Sequence, residues 1–360
     1  MRAARRSGSP SRPPPPRSPR PVRRPPSRRD VLPHGPASLP GVRACVRRPA
    51  TLGRVADDLI TVPPTLAANL AKYYEERGRA WVADAPRLAA EYLDRWELRP
   101  DGAAKHGVVA LVLPVRRADG TPAMLKLQIV DPEHLGEGDA LRTWNGDAAV
   151  RLIDVSADGG VLLLEKLDHT RDLLSVADDV EAAQITAALL VRLHAYTAPP
   201  EIRPLSDVVE KMLAFVPEAA PRLADPTEAT LLRDWAAAVG EVAGECGDRL
   251  LHWDLHFENV LAGGREEWLA IDPKPLAGDP GFDLLPALHN RWDEVMAAPD
   301  PARAVLRRFD AMVEVMGLDR DRAAVWTVAR TLQNSLWTIE DGEDCLETRQ
   351  VLVAQAVTRR

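Results

Sequence analysis

From about residue 58 onward, the apolar positions of this chain repeat every three to four residues, then every two, then every three to four again. The stretches 65–78 (TLAANLAKYYEERG) and 84–98 (DAPRLAAEYLDRWEL) predict two helices, the second with Asp84 as its N-cap and Pro86 near its start, where helices accept these residues. In 106–130 (HGVVALVLPVRRADGTPAMLKLQIV) two apolar runs flank Ala118-Asp119-Gly120, the signature of a β-hairpin. A short helix is expected over 133–146 despite internal glycines, and 150–167 repeats the strand–turn–strand pattern around 157–160. Beyond residue 173 helical spacing dominates, over 178–198, 204–215, 227–246 and most of 282–357. Only two segments rich in polar groups interrupt it, at 250–261 and 266–275. Strands first and helices second, with polar loops inside the helical half, predict an α+β fold of two lobes.

Charge changes this picture at one end. Residues 1–54 carry 14 arginines and one acid, Asp30, so their +13 leaves −20 on the rest of a chain whose net charge is −7. The first 50 residues also hold 13 of the 32 prolines. Such a segment buries too little apolar surface to offset ordering entropy, and residues 1–54 are expected to form a disordered extension. An incidental extension is preferred over a nucleic-acid or membrane tail, and over a transit peptide, whose amphipathic helix the prolines forbid. The acidic body argues against nucleic acid as the main partner. No run approaches the roughly 20 apolar residues of a membrane helix, and Cys45, Cys246 and Cys345 follow no metal spacing. Free thiols in a reducing compartment, the cytoplasm, are expected.

The chemistry concentrates in LLHWDLHFENVL, 250–261. A kinase catalytic loop reads H-R-D-L-x-x-x-N, its aspartate acting as base and its asparagine holding a magnesium ion. His252, Asp254, Leu255 and Asn259 take those places. Asp272, in WLAIDPK after the Gly263-Gly264 turn, follows as a second oxygen ligand of the kind magnesium prefers. Lys126 lies among apolar neighbours in AMLKLQIV, where an unpaired cation is costly; Glu137 on the following helix is its candidate partner. A lysine alone in such a strand more often snorkels to water. The ordered company of Asp254, Asn259 and Asp272 favours a phosphate anchor.

From about residue 62 to its end the chain resembles the aminoglycoside/hydroxyurea antibiotic-resistance kinase family, in the branch that contains streptomycin 6-kinases. The stretches that carry the resemblance include ALRTWNGDAAVRLIDV, VLLLEKLD, LLHWDLHFENVLA, WLAIDPKPLAGDPGFDLLPAL and ARTLQNSLW. It implies a protein-kinase-like fold with an N-lobe over 55–170 and a helical C-lobe over 171–360, ATP with Mg2+, and phosphoryl transfer to a hydroxyl of a small molecule. By position, Asp254 would be the base or orienting group, Asn259 and Asp272 the metal ligands, and Lys126 with Glu137 the phosphate anchor. Glu165, Lys166 and Leu167 would form the hinge whose backbone meets adenine. Asp283 resembles the family aspartate that holds the catalytic loop. Streptomycin, with two guanidinium groups, suits the acidic body; hydroxyurea, another aminocyclitol or an endogenous metabolite stand beside it.

Three positions depart from the wider pattern. Trp253 stands where related kinases usually have glycine, the nucleotide-covering turn offers only Gly107, and Asp272-Pro273-Lys274 replaces the D-F-G triplet, so no kinase-type switching is expected. His252 and His256 are expected to support the loop, Glu258 to be solvated, and Trp96, Trp144, Trp235 and Trp326 to be core. The acidic IEDGEDCLE, 339–347, reads first as a solvated face and second as a lure for a cationic antibiotic. Two rival readings are a metallohydrolase built on His252, Asp254 and His256, and a relative that binds nucleotide without turnover.

Overall fold

The computed structural model describes residues 60–359; the arginine- and proline-rich extension expected over 1–54 lies outside them. A helical stretch, α1 (Pro64–Arg95), precedes a sheet whose strands are β1 (Arg99–Pro100), β2 (Lys105–His106), β3 (Ala110–Arg116), β4 (Pro122–Gln128), β5 (Leu152–Val155) and β6 (Val161–Glu165). They are ordered β1-β3-β4-β6-β5, with β2 also paired to β3, and every pairing is antiparallel.

Alternation along the central strands divides their side chains between two cores. Leu111, Leu113 and Val115 of β3 and Leu125 and Leu127 of β4 pack with Leu66, Leu70, Ala89 and Tyr92 of α1. Lys126, opposite Val112 and Leu162, therefore emerges on the other face. There α2 (Glu137–Trp144) covers the sheet, its Ala140, Leu141 and Trp144 joining the larger core with Leu162 and Leu164. The same period of two that makes a good strand thus aims a lysine at the space between the lobes.

The larger core belongs to the helical C-lobe. α3 (Asp179–Leu193) opens on Asp178, whose carboxylate accepts from the amides of Val180 and Glu181 at 2.8 and 3.0 Å, satisfying donors that a helix start leaves free. α4 (Leu205–Ala219), α5 (Pro226–Val242), α6 (Leu285–Leu288), α7 (Trp292–Ala297), α8 (Pro301–Met316), α9 (Arg320–Glu340) and α10 (Thr348–Val357) complete it. After β6, β7 (Asp168–Asp172) pairs with β9 (Val260–Ala262), which pairs with β10 (Trp268–Ala270), while β8 (Arg249–Leu251) pairs with β11 (Leu276–Gly278). These short ladders bring 252–259 and 271–275 together. No helix of the described residues is long and apolar enough to cross a membrane, and Cys246 and Cys345 are unpaired.

The hairpins appear where the turns predicted them, but the first helices differ. The chain breaks at Glu75 (φ 49°, ψ −123°) rather than between 78 and 84, and Pro86 lies inside the second segment. Gly78 explains the difference: a Cβ there would stand 2.0 Å from the Leu70 carbonyl oxygen, so the two segments cross at backbone contact. The helix expected over 133–146 occupies only Glu137–Trp144, because Gly136 is left-handed (φ 91°) and a Cβ on it would meet Ile202 at 2.8 Å. Trp144, Trp235 and Trp326 are buried as expected, whereas Trp96 is half-buried, edge-on to Tyr92 at 4.7 Å. Gly78→Ala should destabilise the protein by about 1–3 kcal/mol through overpacking at this crossing, read as a lower urea midpoint, whereas Gly120→Ala on the open hairpin turn, where only backbone strain opposes it, should cost less.

Candidate active site

β8 delivers the chain into the loop that carries Asp254, and a wholly buried carboxylate holds that loop. Asp283 accepts from the amides of His252 (2.8 Å) and Trp253 (2.6 Å) and from Nε2 of His194 (2.8 Å). Trp253 has φ 64°, a left-handed conformation costly for a bulky residue, and the Asp283 bonds hold the segment that contains it. His252 stacks on Trp144 with ring centroids 6.2 Å apart, and its Nε2 donates to the Ile271 carbonyl at 3.0 Å. Burial pulls its pKa below the usual histidine value despite the charges of Asp283 and Asp254. With Nδ1 facing the Asp254 amide at 3.4 Å, both ring nitrogens are occupied inside the fold. His252 is thus unfit for the metal triad of the hydrolase reading.

Asp254 Oδ2 lies 3.0 Å from Nζ of Lys274, which also approaches Glu133 Oε2 at 3.8 Å. Burial would lower the Lys274 pKa, but Asp254 and Glu133 outweigh it and the net shift is upward. Asn259 Nδ2 donates to the Asp254 carbonyl at 2.9 Å, and the Ile271 amide donates to the Asn259 carbonyl at 2.8 Å. These bonds bind the loop to the segment ending at Asp272 (φ 59°).

On the sheet side, Nζ of Lys126 donates to both oxygens of Glu137, at 2.7 and 2.9 Å, and to Oδ1 of Asp272. Gln128 Nε2 donates to Glu137 at 2.6 Å. Lys126 and Glu137 are buried, whereas the Asp272 side chain is 41% exposed at the cleft. Burial opposes the charge of Lys126, yet Asp272 and Glu137 raise its pKa; burial likewise opposes the charge of Asp272, and Lys126 holds its carboxyl well below the usual range. The Asp272 carboxylate and the amide oxygen of Asn259 are two hard oxygen donors that could hold a metal ion. No group of three or more His, Cys, Asp or Glu able to hold a metal occurs among the described residues. This donor set fits magnesium, which keeps waters and substrate phosphates in its shell, and does not fit an all-protein cage.

The other expected site residues have separate places. Glu165, Lys166 and Leu167 join β6 to β7; the Glu165 carboxylate accepts from the Arg151 amide at 2.7 Å and pairs with Arg265 at 2.8 Å, while Leu167 is buried. Gly107 turns β2 into β3, with nothing within 4 Å of an added Cβ; its bonds stay within the turn, to the Ala110 carbonyl and from His106 Nδ1. His256 lines a cavity of about 670 Å³ that opens beside Asp254, with Asn290, Trp292, Arg330 and Asn334 among its other walls. Glu258 is exposed, as expected, and also lines the cavity.

Sequence reasoning missed Lys274 and Arg330. Lys274 stood in plain view in the triplet that replaces D-F-G, and a cation two residues after a candidate metal ligand was its signal. Arg330 interrupts an apolar helix, an arrangement that asks for a partner. The Asp283 clasp yields a direct test: Asp283→Ala orphans three buried donors, each worth about 1–3 kcal/mol. The variant should unfold in calorimetry well below the parent.

The family model for aminoglycoside/hydroxyurea antibiotic resistance kinases matches residues 95–342. A streptomycin 6-kinase of Streptomyces glaucescens is 54% identical over 299 residues, 83% of this chain and 97% of the relative. A hydroxyurea phosphotransferase of Kitasatospora aureofaciens is 52% identical over 304 residues, 84% of this chain and 87% of the relative. Among solved structures, aminoglycoside phosphotransferase APH(4)-Ia superposes with a TM-score of 0.52 over 76% of this chain and 98% of its own, at 13% identity, a likeness of protein-kinase-like fold. The two-lobed fold and these matches show that the chain belongs to the aminoglycoside/hydroxyurea antibiotic resistance kinase family.

Proposed function

We propose that this protein is an ATP-dependent kinase that acts in the cytoplasm and transfers the γ-phosphoryl group to a hydroxyl of streptomycin, thereby inactivating the antibiotic. The observation that carries this reading is the convergence of Lys126, Asp254, Asn259 and Asp272 on one cleft, beside a cavity large enough for a small-molecule acceptor. The 54% identical streptomycin 6-kinase supports the choice of acceptor. The 52% identical hydroxyurea phosphotransferase supports hydroxyurea as the second reading.

Each residue has a task that follows from its surroundings. Lys126, kept straight by Glu137, carries a positive charge to the nucleotide's phosphates, and the backbone of Glu165, Lys166 and Leu167 receives the adenine. Gly107, in the turn before β3, would cover the nucleotide, and nothing crowds its Cα face. Asn259 and Asp272 are the residues that would hold magnesium, and the ion would supply neutralisation of phosphate charge there. Asp254, its carboxylate oriented by Lys274, hydrogen-bonds the acceptor hydroxyl and takes its proton as that oxygen bonds to phosphorus and the bond to the departing diphosphate breaks. His252, His256 and Asp283 shape the loop around it. The −20 charge outside residues 1–54 favours the approach of a cationic acceptor.

A coupled assay of ATP consumption with streptomycin and with hydroxyurea, followed by product mass, tests this function. Streptomycin-dependent turnover with one phosphate added is the expected result; turnover with hydroxyurea alone selects the second reading. Asp254→Ala should lower kcat by about 10²–10⁴-fold, the usual worth of general-base action, with ATP still bound. Near-parental turnover by that variant would sink the assignment of Asp254.

A further inference from the structure

Trp253 and the stretch ARTLQNSLW have no task in the reaction as described, and the structure brings them into contact. Arg330, on α9, lies with its guanidinium carbon 5.0 Å from the centroid of the Trp253 ring, 5.1 Å from that of Trp337 and 6.0 Å from that of Phe282. Only 8% of the residue is exposed. Its Nη1 donates to Gln333 Oε1 at 2.7 Å and to Asn334 Oδ1 at 2.9 Å, while its Nε has no partner. Among the described residues no carboxylate forms an ion pair with it, whereas the neighbouring cavity arginine Arg291 pairs with Glu294 at 2.5 Å.

A guanidinium buried with no carboxylate at ion-pair distance is costly, because it gives up water, its hydrogen bonds go to neutral oxygens, and Asp254, Glu133 and Asp283 offset burial only from farther away. Aromatic faces return part of that loss. The arrangement becomes economical once a ligand supplies lone pairs, and Arg330 and Asn334 line the cavity that Asp254 also lines. The charges around that cavity are arranged by position. Glu258 and Asp293 are exposed acids, a place for cationic groups. His289, on the inner wall, is held neutral by burial together with Arg349 and Arg330, its pKa pushed down to about 3, and its Nε2 is unpartnered. With Arg330 and Arg349 beside it, this part of the lining favours oxygens over cations.

We propose that Arg330, stacked on Trp253 and steadied by Asn334, binds the acceptor by donating to an uncharged oxygen adjacent to the hydroxyl that is phosphorylated. Acceptors are thereby selected for two neighbouring oxygens, one for Asp254 and one for Arg330. A pair of hydroxyls on adjacent ring carbons meets that requirement, and so does an N-hydroxyl next to a carbonyl. One wall thus serves a bulky cationic aminocyclitol and a small neutral urea. Trp253, in the place of the usual glycine, gives the guanidinium a flat surface that fixes its fork. This assignment rests on the cavity being the acceptor site.

Steady-state kinetics on the full chain, with streptomycin and with hydroxyurea, test it in Arg330→Met, Arg330→Lys and Asn334→Ala. Loss of a charge-assisted hydrogen bond should raise the acceptor KM of Arg330→Met by about tenfold or more, with the ATP KM held within about twofold. Arg330→Lys should recover part of the loss, and Asn334→Ala should raise the acceptor KM by about threefold. An unchanged acceptor KM in Arg330→Met would overturn the assignment. So would a fall in kcat alone, because that is what a residue that merely packs the catalytic loop would produce. If thermal melts show that Arg330→Met does not fold, Asn334→Ala decides by the same split. A parent enzyme that phosphorylates neither acceptor overturns the proposed choice of acceptors, and this assignment falls with it.

Discussion

A lysine on the central strand of a sheet, flanked by leucines, can remain charged only if anions come to it, and the cleft of this protein is organised by that need. Lys126 is reached by Glu137 from the covering helix and by Asp272 from the C-lobe, so one buried cation fastens sheet, helix and C-lobe at a single point. Gln128, two positions along the same strand face, occupies a Glu137 oxygen that the lysine shares. Of the three charged groups, Asp272 alone has a half-exposed side chain. The partner open to the cleft is thus the one free to take a metal ion as well, while the fully buried Glu137 keeps the lysine in place.

Strain and restraint are paired on the opposite side of the cleft. Trp253 and Asp272 both adopt positive φ, each costing on the order of 1–3 kcal/mol for a residue other than glycine. Both stand beside dense hydrogen bonding: Asp283 grips the loop around Trp253, and the His252 ring with Asn259 grips Ile271, just before Asp272. The polar groups that do no chemistry themselves hold the backbone in the shape that presents Asp254, Asn259 and Asp272 together. A wholly buried aspartate and a neutral histidine serve this purpose because neither competes with substrate.

Much of this arrangement was legible before any coordinates. Asp254, Asn259 and Asp272 could be placed because their spacing belongs to a single short loop–strand–turn unit, and the Lys126–Glu137 pair because strand alternation buries the lysine and the kinase pattern puts its partner on the next helix. The hairpins followed from local turn chemistry. The break at Glu75 did not, because it depends on Gly78 meeting the backbone of Leu70 across a helix crossing, which no local pattern encodes. Lys274 against Asp254, and Arg330 against Trp253, join residues 20 and 77 positions apart. Their types marked them as unusual, but only the packing of α9 against the loop reveals their partners. The extension over 1–54 stands outside the described residues.

If the Lys126–Glu137–Asp272 cluster holds magnesium and the nucleotide's phosphates, ATP binding must depend on both magnesium and Asp272. Isothermal titration of ATP with and without magnesium, into the parent and into Asp272→Ala, tests it most directly. Magnesium should tighten ATP binding to the parent by about tenfold or more and have little effect on the variant. ATP affinity indifferent to magnesium in the parent, or equally dependent on it after Asp272→Ala, would contradict it.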